Sequence, residues 1–135
     1  MDDLAENVRT FVSLIERGET LAAIERFYAM DVCVFENREL ARAGRENCLT
    51  YERESLGRIT GLPRFKVHRF AVNEAAGVVF LEYTVRFTAS SGRPMRLDEV
   101  AVQTWEGSLI TQERFYYEGL VDEGDDEPKL VATSG

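Results

Sequence analysis

The chain has 135 residues, 44% of them hydrophobic and 30% charged, with a formal net charge of -8. That size suits one compact domain burying about two-thirds of its unfolded surface, so neither a disulfide nor a metal is needed for stability. An acidic chain without a clustered Lys/Arg face repels phosphate backbones and anionic lipid, which argues against nucleic-acid and membrane-surface roles.

The first residues, "MDDLAEN", are acidic and lack a basic stretch followed by an apolar one, so no secretory signal is expected. No apolar run approaches the ~18 residues of a membrane span, and a cytoplasmic location is the expectation. Cys33 and Cys48 lack paired spacing and read as buried, reduced thiols. With His68 as the single histidine, no metal site and no cofactor are expected.

Leu4, Val8, Phe11, Val12 and Ile15 form one apolar stripe at helical spacing, and Gly18 supplies a stop. In "GETLAAIERFYAM" a second helix places Leu21, Ile24, Phe27 and Tyr28 on one face, with Thr20 as its cap. Val32 to Phe35 is β-branched and aromatic and reads as a short strand ending at Glu36 and Asn37. "NRELARAG" is loop-like, and "RENCLTYERESLGRI" fits a third helix that "TGLP" closes.

Four strands follow, "FKVHRFAV", "VVFLEYTVRFTA", "MRLDEVAVQTW" and "LITQERFYYEG", joined by turns at "NEAAG", "SSGRP" and "EGS". They make an antiparallel meander after a helical half, which is segregated α+β. Residues 120–135 are acidic and contain Gly and Pro, so a flexible tail is expected after a single domain spanning 1–119.

Period two sorts the strand faces. Val79, Leu81, Tyr83, Val85 and Phe87 share an apolar face that should meet the helices; Phe80, Glu82, Thr84 and Arg86 share the other. His68 lies on the face of Lys66, Phe70 and Val72. On the last strand, pattern alone leaves open whether Ile110, Gln112, Arg114 and Tyr116 face inward, or Leu109, Thr111, Glu113, Phe115 and Tyr117. On the third, Ala101, Gln103 and Trp105 oppose Asp98, Val100, Val102 and Thr104.

Four local signatures stand in the right order: "FYAMDV" after the paired helices, "AGRE" before the third helix, "NEAAG" between strands, and "WEGSLITQERFYYE" as a hairpin. In this the chain resembles the nuclear transport factor two-like superfamily, which includes SnoaL-like polyketide cyclases and ketosteroid isomerases. The resemblance covers residues 4 to about 118 and implies a curved antiparallel sheet wrapped around the N-terminal helices, a cone with an internal pocket.

The resemblance also implies which strand faces line that pocket: Gln112, Arg114 and Tyr116 on the last strand, with Ala101, Gln103 and Trp105 on the third. Glu36 lands where ketosteroid isomerases carry a general-base aspartate. Phe11 stands where they carry a tyrosine donor, and Ala101 falls near their protonated aspartate, with Asp98 and Glu99 close in sequence.

The expected site therefore has Glu36 as base, or else ion-paired with Arg114 or Arg38. Arg114 and Tyr116 are its polarising donors, and Gln112 orients the ligand. Gln103, Trp105, Tyr83, Leu81, Phe11, Tyr28 and His68 would complete the contacts. The expected ligand is a small, largely apolar, oxygenated molecule undergoing proton transfer next to a carbonyl. The alternative is a binding module that anchors an acid-bearing ligand on Arg114. The resemblance further implies a homodimer through the outer sheet face.

Overall fold

The computed structural model describes residues 3–124, and the backbone of 129–131. Helix α1 spans Leu4–Glu16 and starts where the Asp3 carboxylate accepts from the Ala5 N–H at 3.0 Å. It ends as its composition predicts. Gly18 sits at φ 78°, and the amides of Gly18 and Glu19 return to the carbonyls of Ile15 and Leu14, a Schellman closure. Helix α2 (Thr20–Phe27) follows at once. Thr20 is not its cap: it lies inside the first turn, buried, and Glu19 precedes it without a side-chain cap.

The chain then enters β1 (Tyr28–Glu36), which is longer than the apolar run alone suggested. A two-residue turn at Asn37 and Arg38 leads into β2 (Glu39–Ala43), a strand where a loop was expected. Asn37 takes φ 54°, a backbone that Asn tolerates better than most residues. Helix α3 covers Arg45–Gly57.

The remaining strands are β3 (Ile59–Asn73), β4 (Val78–Ala89), β5 (Pro94–Glu106) and β6 (Leu109–Tyr117). β3 starts six residues before the expected "FKVHRFAV" and takes in Pro63. It can do so because it lies at the end of the strand order, where proline removes no interior ladder bond.

The sheet runs β2-β1-β6-β5-β4-β3. The meander β3 to β6 is antiparallel as expected, but β1 joins β6 in parallel, so the sheet is mixed. This is the α+β cone: a curved, open sheet with, among the described residues, three helices against its inner face. Its core gathers Val8, Phe11, Ile15, Phe27, Val32, Val34, Val79, Leu81, Trp105 and Ile110. Phe27 is central, edge-on to Phe11 at 6.0 Å and to Trp105 at 5.5 Å.

The expected flexible tail is corrected in its described part. Leu120–Asp122 forms β7 against Met95 and Arg96 of β5, and the backbone of β8 (Lys129–Val131) pairs with β7. The physical reason is charge: Asp122 pairs with Arg93, and Glu123 with Arg86 and Arg96. Residues 125–128 and 132–135 lie outside the described residues.

Candidate functional site

A cavity of about 220 Å³ lies between the helices and the inner face of the sheet. Phe11, Ile15 and Ala23 line it from α1 and α2; Phe65, Leu81, Leu97 and Phe115 line it from the strands. Into these apolar walls project Tyr28, Tyr83, Glu36, Glu52, Glu99, Glu113 and Arg42.

Glu113 closes one wall and is 2% exposed. Tyr28 Oη donates to its Oε1, and Gln103 Nε2 donates to its Oε2 at 2.7 Å. Gln103 in turn accepts from Trp105 Nε1 at 3.0 Å. Each buried polar group in this chain of four thus has a partner. Burial pushes the Glu113 carboxyl up against the easing effect of Tyr28 and Gln103, and burial followed by the Glu113 charge pushes the Tyr28 phenol well up.

Glu99 stands next along β5. Tyr83 Oη donates to its Oε1 at 3.1 Å, and among the described residues no cation pairs with it. Burial, reinforced by the nearby Glu113 and Glu36 charges, raises its carboxyl to about 8. Near neutral pH Glu99 is therefore mostly a neutral acid that can donate a hydrogen bond or a proton.

Glu36 has the opposite surroundings. Arg42 Nη1 holds its Oε2 at 2.8 Å, and Tyr117 Oη donates to its Oε1 at 2.6 Å. Arg42 also lies 3.8 Å over the Tyr51 ring. The ion pair anticipated for Glu36 thus exists, with Arg42 in place of Arg114 or Arg38.

The structure sorts the expected site residues into two groups. Glu36, Tyr83, Leu81, Phe11 and Tyr28 line the cavity, while Gln103 and Trp105 stand behind its wall as supports for Glu113. Arg114, Tyr116, Gln112 and His68 do not reach it. Arg114 lies 4.2 Å over the Phe35 ring and donates to the Asn37 carbonyl at 2.6 Å; Tyr116 is half exposed on the outer face. His68 bonds Thr84 Oγ1 at 2.8 Å, and Thr84 donates to Asp98 at 2.7 Å, also on the outer face.

Two β-bulges explain the errors. Thr104 opposes Gln112 while Trp105 opposes Ile110, so Thr111 is an extra residue in β6. One extra residue inverts alternation, so Ile110 points inward and so do Glu113, Phe115 and Tyr117. His68 is likewise extra in β3, between Val67 opposite Tyr83 and Arg69 opposite Glu82.

Arg42 was missed because its segment read as loop, and Glu113 and Tyr117 because of the bulge. Glu99 was legible: it has the parity of Ala101, Gln103 and Trp105. Cys48 is buried as expected, and Cys33 half-buried.

No family model and no curated protein matches the chain. Solved structures do. A protein described as a candidate SnoaL-like polyketide cyclase from Mesorhizobium loti is 25% identical, with a TM-score of 0.68 over 86% of this chain and all of that one. An NTF2-like protein of unknown function from Burkholderia pseudomallei is 18% identical, with a TM-score of 0.72 over 87% of this chain and 92% of that one. An epoxide hydrolase of the LEH-like kind from M. tuberculosis is 17% identical, with a TM-score of 0.69 over 85% and 82%.

A curved, open sheet with helices against one face is the fold this chain has in common with them. The present protein has the nuclear transport factor two-like fold, and a SnoaL-like polyketide cyclase is among the structures it resembles.

Proposed function

We propose that the protein is a cofactor-independent enzyme that moves a proton next to a carbonyl of a small, largely apolar, oxygenated molecule. The observation that carries this reading is a pair of carboxyl groups in one cavity with opposed surroundings. Glu36 is ion-paired with Arg42, whereas Glu99 is raised to about 8 without a cation. Glu36 serves as the base, oriented by Arg42 and Tyr117. Glu99 and Tyr83 supply the hydrogen bonds that a developing enolate oxygen needs, from wall positions shielded from water. The likeness to a polyketide cyclase agrees with isomerase, cyclase or lyase chemistry of this type.

Arg114 and Tyr116 have no part in this reading, because both lie outside the cavity. The alternative of an acid-binding module loses its anchor for the same reason.

The test is exchange of α-protons from a panel of cyclic ketones in D2O, followed by NMR. A general base contributes roughly 10²- to 10⁴-fold, so Glu36→Gln should slow exchange by at least about a hundredfold. Glu99→Gln should lower the rate less, because the amide still donates. Exchange that is unchanged in Glu36→Gln rules out its role as base.

A further inference from the structure

Among the described residues, four carboxyl groups line the cavity, from Glu36, Glu52, Glu99 and Glu113, against one cation, Arg42. Arg42 is already engaged by Glu36 and by the Tyr51 ring. Arg114, the other candidate anchor, donates to the Asn37 carbonyl outside the cavity. Among the described residues, a carboxylate on a ligand would therefore find no unengaged cation in the cavity and only further carboxyl groups beside it.

Glu52 is one of the cavity carboxyls that a ligand cation could pair with. It reaches the cavity from α3, whereas Glu99 and Glu113 come from the sheet. Among the described residues it takes part in no ion pair. Burial pushes its carboxyl up, opposed by the Thr20 hydroxyl and by the Arg42 charge.

A second observation points the same way. Thr20 is 6% exposed and lines the cavity, yet its Oγ1 makes no hydrogen bond of ordinary geometry. It lies near enough to Glu52 to ease that group's ionisation without meeting it squarely. A buried hydroxyl left in this state is costly unless water or a ligand satisfies it, and here it faces the cavity. The same cavity is lined by the rings of Phe11, Tyr28, Tyr51 and Phe65, which suit both an apolar body and a cation held against a π-face.

We propose that the ligand of this cavity carries a basic nitrogen, an alkylammonium seated between the Glu52 carboxylate and the Thr20 hydroxyl, with its apolar body against the aromatic walls. The inference rests on the cavity being the binding site proposed above, but not on any reaction taking place there. The Glu99–Tyr83 pair stays free to meet a carbonyl at the sheet wall.

Calorimetry on the full chain near neutral pH tests it with three probes of one shape: 2-phenylethylammonium, 2-phenylethanol and phenylacetate. The ammonium should bind about tenfold tighter than the alcohol, and the acid weakest of the three. Glu52→Gln should abolish the ammonium's advantage while leaving the alcohol within about threefold. Thr20→Val should weaken the ammonium by a smaller factor.

Phenylacetate binding as tightly as the ammonium, binding of none of the three, or an advantage that survives Glu52→Gln would each overturn the proposal. The first is read on the unaltered protein and does not depend on a variant folding. Ketone exchange that proceeds without any preference for the ammonium sinks this inference alone. An ammonium preference without exchange sinks only the proton-transfer reading.

Discussion

At the scale of single residues, Glu99 links the cavity to pH. Its carboxyl is raised from 4.5 to about 8 in the folded protein, so between those values the folded state holds a proton that the unfolded chain releases. Stability therefore declines as pH rises from about 4.5 to about 8, and the contribution is level on either side. Glu113 and Glu52 are raised as well and act with the same sign. Glu99→Gln removes the Glu99 share of the decline. The variant should gain roughly 3–5 kcal/mol over the parent above pH 8 and almost nothing below pH 4.5, read by urea denaturation across that range. In catalysis the same proton matters in the opposite sense to a base: the rate should fall as pH rises through about 8, because the donor is lost.

At the scale of elements, alternation was legible wherever a strand was regular. Val79, Leu81, Tyr83 and Val85 are buried as period two predicts, and Val32, Val34 and Glu36 share a face as their parity requires. It failed at Thr111 and His68, where one extra residue changes which side chains face inward and nothing local in the sequence marks the place. Arg114→Ala is the direct check on β6. It should leave ligand affinity and exchange rate within about twofold and cost on the order of 1 kcal/mol, the worth of one exposed hydrogen bond and a ring contact.

The turn before β4 is tighter than its sequence alone shows. Gly77 sits at φ 68°, and a Cβ there would come within 2.6 Å of the Trp105 carbonyl oxygen. Its own carbonyl accepts from the Trp105 N–H at 2.7 Å. Gly77→Ala combines a strained backbone with a backbone clash and should destabilise by about 2–4 kcal/mol in thermal or chemical unfolding. Gly92→Ala is the control: it shares a positive φ but meets nothing, so its cost should stay near 1 kcal/mol.

At the scale of the molecule, the outer sheet face leaves Phe80 48% and Tyr116 50% exposed. If two copies meet through this face, as the resemblance implies, light scattering should give twice the chain mass and Phe80→Glu should return it to one. The helices, the meander, the α+β class and the apolar inner face of β4 follow from the sequence by itself, because hydrophobic period and turn residues act locally. Parity puts Glu36 on the face of Val32 and Val34, and the resemblance makes it a candidate acid. Only the tertiary structure decided the rest of the cavity. A bulge turned Glu113, Phe115 and Tyr117 inward and Arg114 and Tyr116 outward, and an apparent loop became a strand that brings Arg42 to Glu36. Those outcomes depend on register between strands far apart in the chain, which local pattern does not encode.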